Sequence, residues 1–203
     1  MTSSPFCRYF MAVQFYCILK HLILSVLFLS SFSGFCQNGS LPLDASKNVS
    51  YSDLGNLSKS KDQIYADAQK WVSKTFGNYE NAVTLEEPQK GKLVINSYIP
   101  VAHSRYEHIR FDLTINCTDQ HFDVKIDKLD GIATMYQPTR IGVKENDLIL
   151  AKEMALKTEP NRKKRTIAEE SLQRSKSDND AINKAMYDLL ANLKGFLVAE
   201  SGH

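Results

Sequence analysis

Three histidines, His103, His108 and His121, stand close in sequence to Asp112, Asp119 and Asp123. Imidazole beside carboxylate is the chemistry of hydrolytic centres, in which histidine shuttles a proton or binds zinc. Zinc needs three or four ligands converging from fixed elements. Strand alternation instead sets His108 on one wet face with Arg110 and Asp112, and leaves His121 at a turn. Exposed strand-edge histidines are therefore the expectation, and a hydrolytic site around His103 and His108 is the alternative. No HExxH, GxSxG or phosphate-loop pattern occurs in the chain. The residues assign no catalytic group, metal or cofactor.

Cysteine chemistry is equally restricted. Cys7, Cys17 and Cys36 precede residue 37, which leaves Cys117 alone in the remainder of the chain. A single cysteine forms no intramolecular disulfide and no cysteine-rich zinc site. Cys117 continues the inward alternation of its strand, so it reads as a small buried hydrophobe. Arg162-Lys163-Lys164-Arg165 looks in isolation like a polyanion patch, but Glu159, Glu169 and Glu170 flank it. A solvated loop is the expectation there, and a membrane-surface or polyanion contact is the alternative.

The first 36 residues contain no acid and two formal bases, Arg8 and Lys20. A short apolar run from Leu22 to Phe32 follows, and then Gly34-Phe35-Cys36. Basic flank, apolar core and small residues, in that order, make a secretory signal peptide over 1–36, cut after Cys36. Its core is shorter than the roughly 20 apolar residues that span a bilayer. Translation from Met11 would shorten its long leading region, and a lipid on Cys36 is the less favoured alternative to cleavage. The expected address is outside the cytoplasm: periplasmic, outer-membrane associated or secreted. Without Arg8 and Lys20, the 25 basic residues fall to 23, against 23 acidic ones. A neutral mature chain is poorly suited to nucleic acid, because that affinity comes largely from phosphate neutralisation.

The elements that would position these groups follow from periodicity. Residues 37–47 are polar and read as a flexible leader, and Asn48 to Ser52 as a weak first strand broken by Gly55-Asn56. Ser60-Lys-Asp-Gln63 fits a capping box. Ile64, Ala68, Trp71, Val72 and Thr75 then recur at helical spacing, with Asp62, Asp67, Lys70 and Lys74 on the polar side. Gly77-Asn78 closes that helix. Ala82 to Leu85 and Lys92 to Ile99 are strands. Ile109, Phe111, Leu113, Ile115 and Cys117 alternate with polar residues, as do Phe122, Val124 and Ile126, so the two runs form an antiparallel hairpin with one wet face. The candidate ligand-facing residues on that face are Arg110, Asp112, Thr114, Asp123 and Lys125. Its charges, Asp127 included, also suit cross-strand pairing.

The core spans 48–129, and 130–176 reads as a charged, partly helical connection. Within it, Asp147 to Lys157 puts Leu148, Ala151 and Ala155 on one side. Ser177 or Asp178 caps a final helix over 177–200 carrying Ile182, Met186, Leu189 and Leu193. The class is α+β: an antiparallel, curved sheet of about five strands with two helices on one face.

Ser60-Lys61-Asp62-Gln63-Ile64-Tyr65 with Trp71, then Gly91 to Ile95 and Leu113 to Cys117, resemble an uncharacterised family of exported bacterial proteins. It is described as a domain of unknown function with a fold like the TATA-binding protein. The resemblance covers about 48 to 129 and implies a fold and an address but no activity. At the hairpin turn, where the family tends to have Asp-Gly, this chain has Asp119-Gln120, which implies a looser or longer turn. The expected partner is a protein, glycan or small ligand of the cell envelope. No nucleic acid is expected, and no membrane contact beyond the signal peptide or a lipid on Cys36. Nucleic-acid binding through the sheet is the least favoured reading.

Overall fold

The computed structural model describes residues 39–200. Six antiparallel strands form one sheet: β1 (Tyr51–Asn56), β2 (Val83–Glu87), β3 (Lys92–Pro100), β4 (His108–Thr118), β5 (His121–Ala133) and β6 (Tyr136–Arg140). The order is β1-β5-β4-β3-β2, and β6 shares with β1 the outer edge of β5. Helices α1 (Lys61–Phe76) and α4 (Arg162–Ala199) cover one face. A one-turn helix, α2 (Tyr79–Ala82), leads into β2, and α3 (Val143–Thr158) packs against α4. The α+β class with helices on one face is thus present, with β6 as a strand beyond the expected five.

Local sequence explains α1. The Ser60 hydroxyl accepts from the Gln63 amide while the Gln63 side chain accepts from the Ser60 amide, and Gly77 ends the helix at φ 76°. Ile64, Ala68, Trp71 and Val72 are buried against Phe111, Leu113 and their neighbours. Asp67 departs from its expected place on the polar side and is buried. Lys59 and Lys70 both bond its carboxylate, so the charge goes inside already paired. Burial pushes the Asp67 carboxyl upward, yet the two lysines outweigh it and hold it below its ordinary value. A carboxyl depressed in the folded state adds stability that is present above the unfolded pKa of about 3.9 and is lost as pH falls through the folded value. Urea midpoints should therefore fall below about pH 4. Asp67→Asn should lower the neutral midpoint and flatten that acid limb, and an unchanged limb would remove Asp67 from the account.

Beside Asp67 on the helix, Tyr65 is buried, and its hydroxyl has no hydrogen-bond partner among the described residues. An orphaned buried hydroxyl costs about 1–3 kcal/mol. Tyr65→Phe is therefore expected to raise stability by about 1 kcal/mol in urea unfolding, and a loss of stability would refute the assignment.

The β4–β5 hairpin turns in two residues, not in a longer loop as the missing glycine implied. Thr118 pairs with His121, and Gln120 takes the left-handed conformation at φ 61°. The segment entering α1 holds the turn from outside. Gln120 N–H donates to Lys59 O at 2.9 Å, Leu57 N–H donates to Gln120 O at 2.9 Å, and Lys61 N–H donates to Asp119 Oδ1 at 2.8 Å. These three bonds supply what a glycine would otherwise contribute to the turn.

Several further expectations are corrected. Strand β1 runs through Gly55, which does not break it. Gly55 pairs with Phe122, and a Cβ there would lie 2.4 Å from the Phe122 ring, so glycine makes room for the ring. Of the expected flexible leader, residues 39–41 are docked. Asn179 and Asn183 donate to Gly39 O and Ser40 O at 2.7 and 2.9 Å. Asn146 grips Leu41 N and O at 2.8 and 2.9 Å, with the Leu41 side chain buried. No helix begins at Ser177 or Asp178, because α4 is continuous from Arg162 to Ala199. Asn179 and Asn183 therefore sit mid-helix, where the docked segment uses their amides. In α3 the inward residues are Glu145 and Ile149, while Leu148, Ala151 and Ala155 are exposed. This helix is apolar on several sides, so spacing alone does not choose the buried one. The signal peptide expected over 1–36, with Cys36, lies outside the described residues and is not among these corrections.

Candidate functional site

The sheet face opposite α1 and α4 is built by the polar halves of the alternating strands. Register sets its rows. Lys92, Asn116, Asp123 and Leu54 lie across the strands in one row, and Val94, Thr114, Lys125 and Ser52 in the next. Asn96, Asp112 and Asp127 follow, and then Tyr98, Arg110, Asp130 and Arg140. All five candidate residues, Arg110, Asp112, Thr114, Asp123 and Lys125, thus project from this face. The 130–176 connection contributes β6 at its margin, while α3 packs on α4.

Most charges on the face are bound to one another. Asn116 Nδ2 donates to Asp123 at 2.9 Å, and Asn96 Nδ2 to Asp112 at 2.6 Å. Lys128 reaches the other Asp112 oxygen at 2.8 Å, and Lys125 lies 2.9 Å from Asp127. Burial raises the Asp112 carboxyl, but the Lys128 and Asn96 bonds prevail and keep it below its ordinary value. Exposed pairs of this kind each contribute about 0.2–1 kcal/mol. The Thr114 hydroxyl, central on the face, makes no side-chain hydrogen bond among the described residues. Tyr98, 62% exposed, and Leu54, 59% exposed, add apolar surface.

The arrangement at Asp130 had no counterpart in the sequence reading. Asp130 is buried, accepts from Arg110 Nη2 at 2.7 Å and is ion-paired with Arg140, whose Nε lies 3.0 Å from it. A bulge at Lys128 (φ 54°) produces it, because two residues of β5 there oppose one of β4. The sequence carried a trace of the bulge: inward positions are even at Phe122, Val124 and Ile126, then odd at Leu129. A change of parity inside an alternating strand is what an extra residue leaves behind.

The histidines do not gather. His103, in a loop at φ 60°, lines a cleft with Lys184 and Asp188 on α4. His108 lies edge-on to Tyr98, ring centres 5.5 Å apart, on the open face. His121 Nδ1 is 3.0 Å from Asn56 Oδ1 at the far hairpin end. Among the described residues no three of His, Cys, Asp and Glu cluster to hold a metal. Cys117 is fully buried, and burial first, then Asp123, pushes its thiol up to about 12. It stays protonated at neutral pH and is inert as a nucleophile. A further cleft of ≈ 540 Å³ separates the β5–β6 hairpin from α3. Its Arg105 and Lys144 lie 3.8 and 3.9 Å from buried Glu145, which neutralises part of their charge.

This geometry provides a polar surface bordered by exposed Tyr98 and Leu54. No curated protein matches the chain. Two crystal structures are similar to it. One is of a TBP-like protein from Parabacteroides distasonis ATCC 8503, at 13% identity and TM-score 0.47, covering 75% of this chain and 96% of that one. The other is of a DUF4468 family protein from Bacteroides ovatus ATCC 8483, at 17% identity and TM-score 0.48, covering 75% of this chain and 90% of that one. Residues 53–130 match the family described as "Domain of unknown function (DUF4468) with TBP-like fold". That matched stretch holds β1, α1, β2, β3, β4 and most of β5, so the similarity to a TBP-like fold falls on the sheet and one covering helix described above.

Proposed function

We propose that the chain is an exported binding module whose open sheet face receives a protein, glycan or small ligand of the cell envelope. The observation that carries this reading is the face itself. Six strands present their polar residues on one side, both long covering elements lie on the other, and α3 packs on α4. Thr114 and Arg110 offer hydrogen-bonding groups near the centre, and Tyr98 offers a ring to stack on. Balanced lysines, arginines and aspartates favour a neutral or mixed-charge ligand over a polyanion. The order of charge and hydropathy in residues 1–36 supports export.

Two measurements test the reading. Mass spectrometry of the protein from fractionated cells should find it outside the cytoplasm, beginning at Gln37. Immobilised residues 37–203 should retain an envelope component that Thr114→Arg or Tyr98→Ala releases, lowering retention at least tenfold. Retention unchanged by both substitutions would exclude this face, and a cytoplasmic chain retaining Met1 would exclude export.

A further inference from the structure

The run Arg162-Lys163-Lys164-Arg165 forms the first turn of α4, at the tip of the α3–α4 hairpin. A helix N-terminus is the positive end of the helix dipole, so cations there are disfavoured. No acidic residue stands in that first turn. Asn161 Oδ1 accepts from the amides of Lys163 and Lys164, which caps the helix without engaging their side chains. Arg165 lies 3.4 Å from Glu169, while Arg162, Lys163 and Lys164 make no ion pair among the described residues. All four cations are exposed. A placement that local energetics oppose, offset by one exposed ion pair alone, points to a use outside the folded chain.

Large apolar side chains face water on the same hairpin. Leu150, Met154 and Ile167 are 57%, 61% and 57% exposed. Leu150, Met154 and Lys157 recur at i, i+4 and i+7 and so share one exposed face of α3. Ile167 follows Lys163 and Lys164 by one helical turn, which puts it beside them on α4. The buried apolar residues of this hairpin are different ones, Ile149 on α3 and Leu172 on α4.

We infer that the tip of the α3–α4 hairpin docks on an anionic phospholipid bilayer. Its cations meet the headgroups, and Leu150, Met154 and Ile167 enter the interface. Charge complementarity selects an anionic occupant. The exposed aliphatic side chains select a bilayer over nucleic acid, whose affinity comes from phosphate neutralisation. No described helix is long and apolar enough to cross a membrane, so the contact is interfacial. This surface is separate from the open sheet face, and neither reading depends on the other.

Residues 37–203 form one unit and can be tested without the apolar leader. The chain is floated with vesicles of phosphatidylglycerol and phosphatidylethanolamine, and in parallel with phosphatidylcholine vesicles. Flotation is expected with the anionic vesicles only and should weaken as salt is raised. Each removed charge should lower partitioning about fivefold, so R162Q/K163Q/K164Q/R165Q should lose roughly six-hundredfold. Leu150→Ser with Met154→Ser and Ile167→Ser should lose about tenfold while far-UV circular dichroism is unchanged. The salt series on the parent chain needs no variant to fold. Absence of flotation with anionic vesicles at low salt would overturn the inference, as would equal flotation of the glutamine variant. Undiminished flotation of the serine variant, or tighter binding to duplex DNA than to vesicles, would assign the tip to a polyanion and overturn it as well.

Discussion

Trp71→Ala is expected to cost about 3–5 kcal/mol of folding stability, roughly a fifth or more of what a domain of this kind possesses. Trp71 is 1% exposed and stands edge-on to Phe76 with ring centres 5.6 Å apart. Phe76 in turn leans on Phe111 of β4 at 6.4 Å. The indole Nε1 donates to Asn192 Oδ1 of α4 at 2.8 Å. One side chain therefore ties α1 to α4 and, through Phe76, to the sheet. Truncation leaves a cavity that three elements would have to move to fill, and it strips Asn192 of its donor. Trp71→Phe keeps most of the apolar volume and loses the hydrogen bond, so a smaller loss of about 1–2 kcal/mol is expected. Trp71 is the only tryptophan in the chain, so unfolding must be followed by far-UV circular dichroism. A Trp71→Ala loss below about 1.5 kcal/mol would mean that α1 and α4 hold the sheet independently.

Gly91→Ala is expected to be comparably damaging, by about 3 kcal/mol or more, although it adds a single methyl group. Gly91 follows the 3-10 turn Pro88–Lys90 and enters β3 in the left-handed region at φ 67°. Its carbonyl accepts from Cys117 N–H at 2.8 Å, which draws the β3 entry against the end of β4. A Cβ at this position would lie 2.1 Å from the Cys117 carbonyl oxygen. Backbone blocks it, so no rotamer change relieves the clash. The β3 entry must move, and with it the pairing of Lys92 with Asn116. Substitution at Gly77 separates the two causes. Gly77 also has positive φ, at 76°, but nothing lies within 4 Å of its added Cβ. Gly77→Ala should cost only the conformational penalty of about 1–2 kcal/mol. Equal losses at the two sites would show that φ, and not the approach of Cys117, governs Gly91.

The hairpin, its wet face and α1 were legible in the chain because their signals are local. Period-two alternation from Ile109 to Ile126 assigns each residue a side of the sheet before any partner is known. Ser60, Gln63 and Gly77 cap α1 from within its own length. The same local reasoning placed Arg110, Asp112, Thr114, Asp123 and Lys125 on one face and excluded a disulfide within residues 37–203.

Tertiary structure alone decided the features that depend on distant partners. Asp130 holds Arg110 and Arg140 only because a bulge at Lys128 shifts the register between β4 and β5. Asp119-Gln120 turns tightly because Lys59, Leu57 and Lys61 bond it from outside the hairpin. Residues 39–41 read as a leader until Asn146, Asn179 and Asn183 bind their backbone across more than a hundred residues of sequence. Those asparagines look like interruptions in their helices when read alone. Backbone hydrogen bonding and strand register are pairwise properties, and a single alternating pattern carries only one member of each pair.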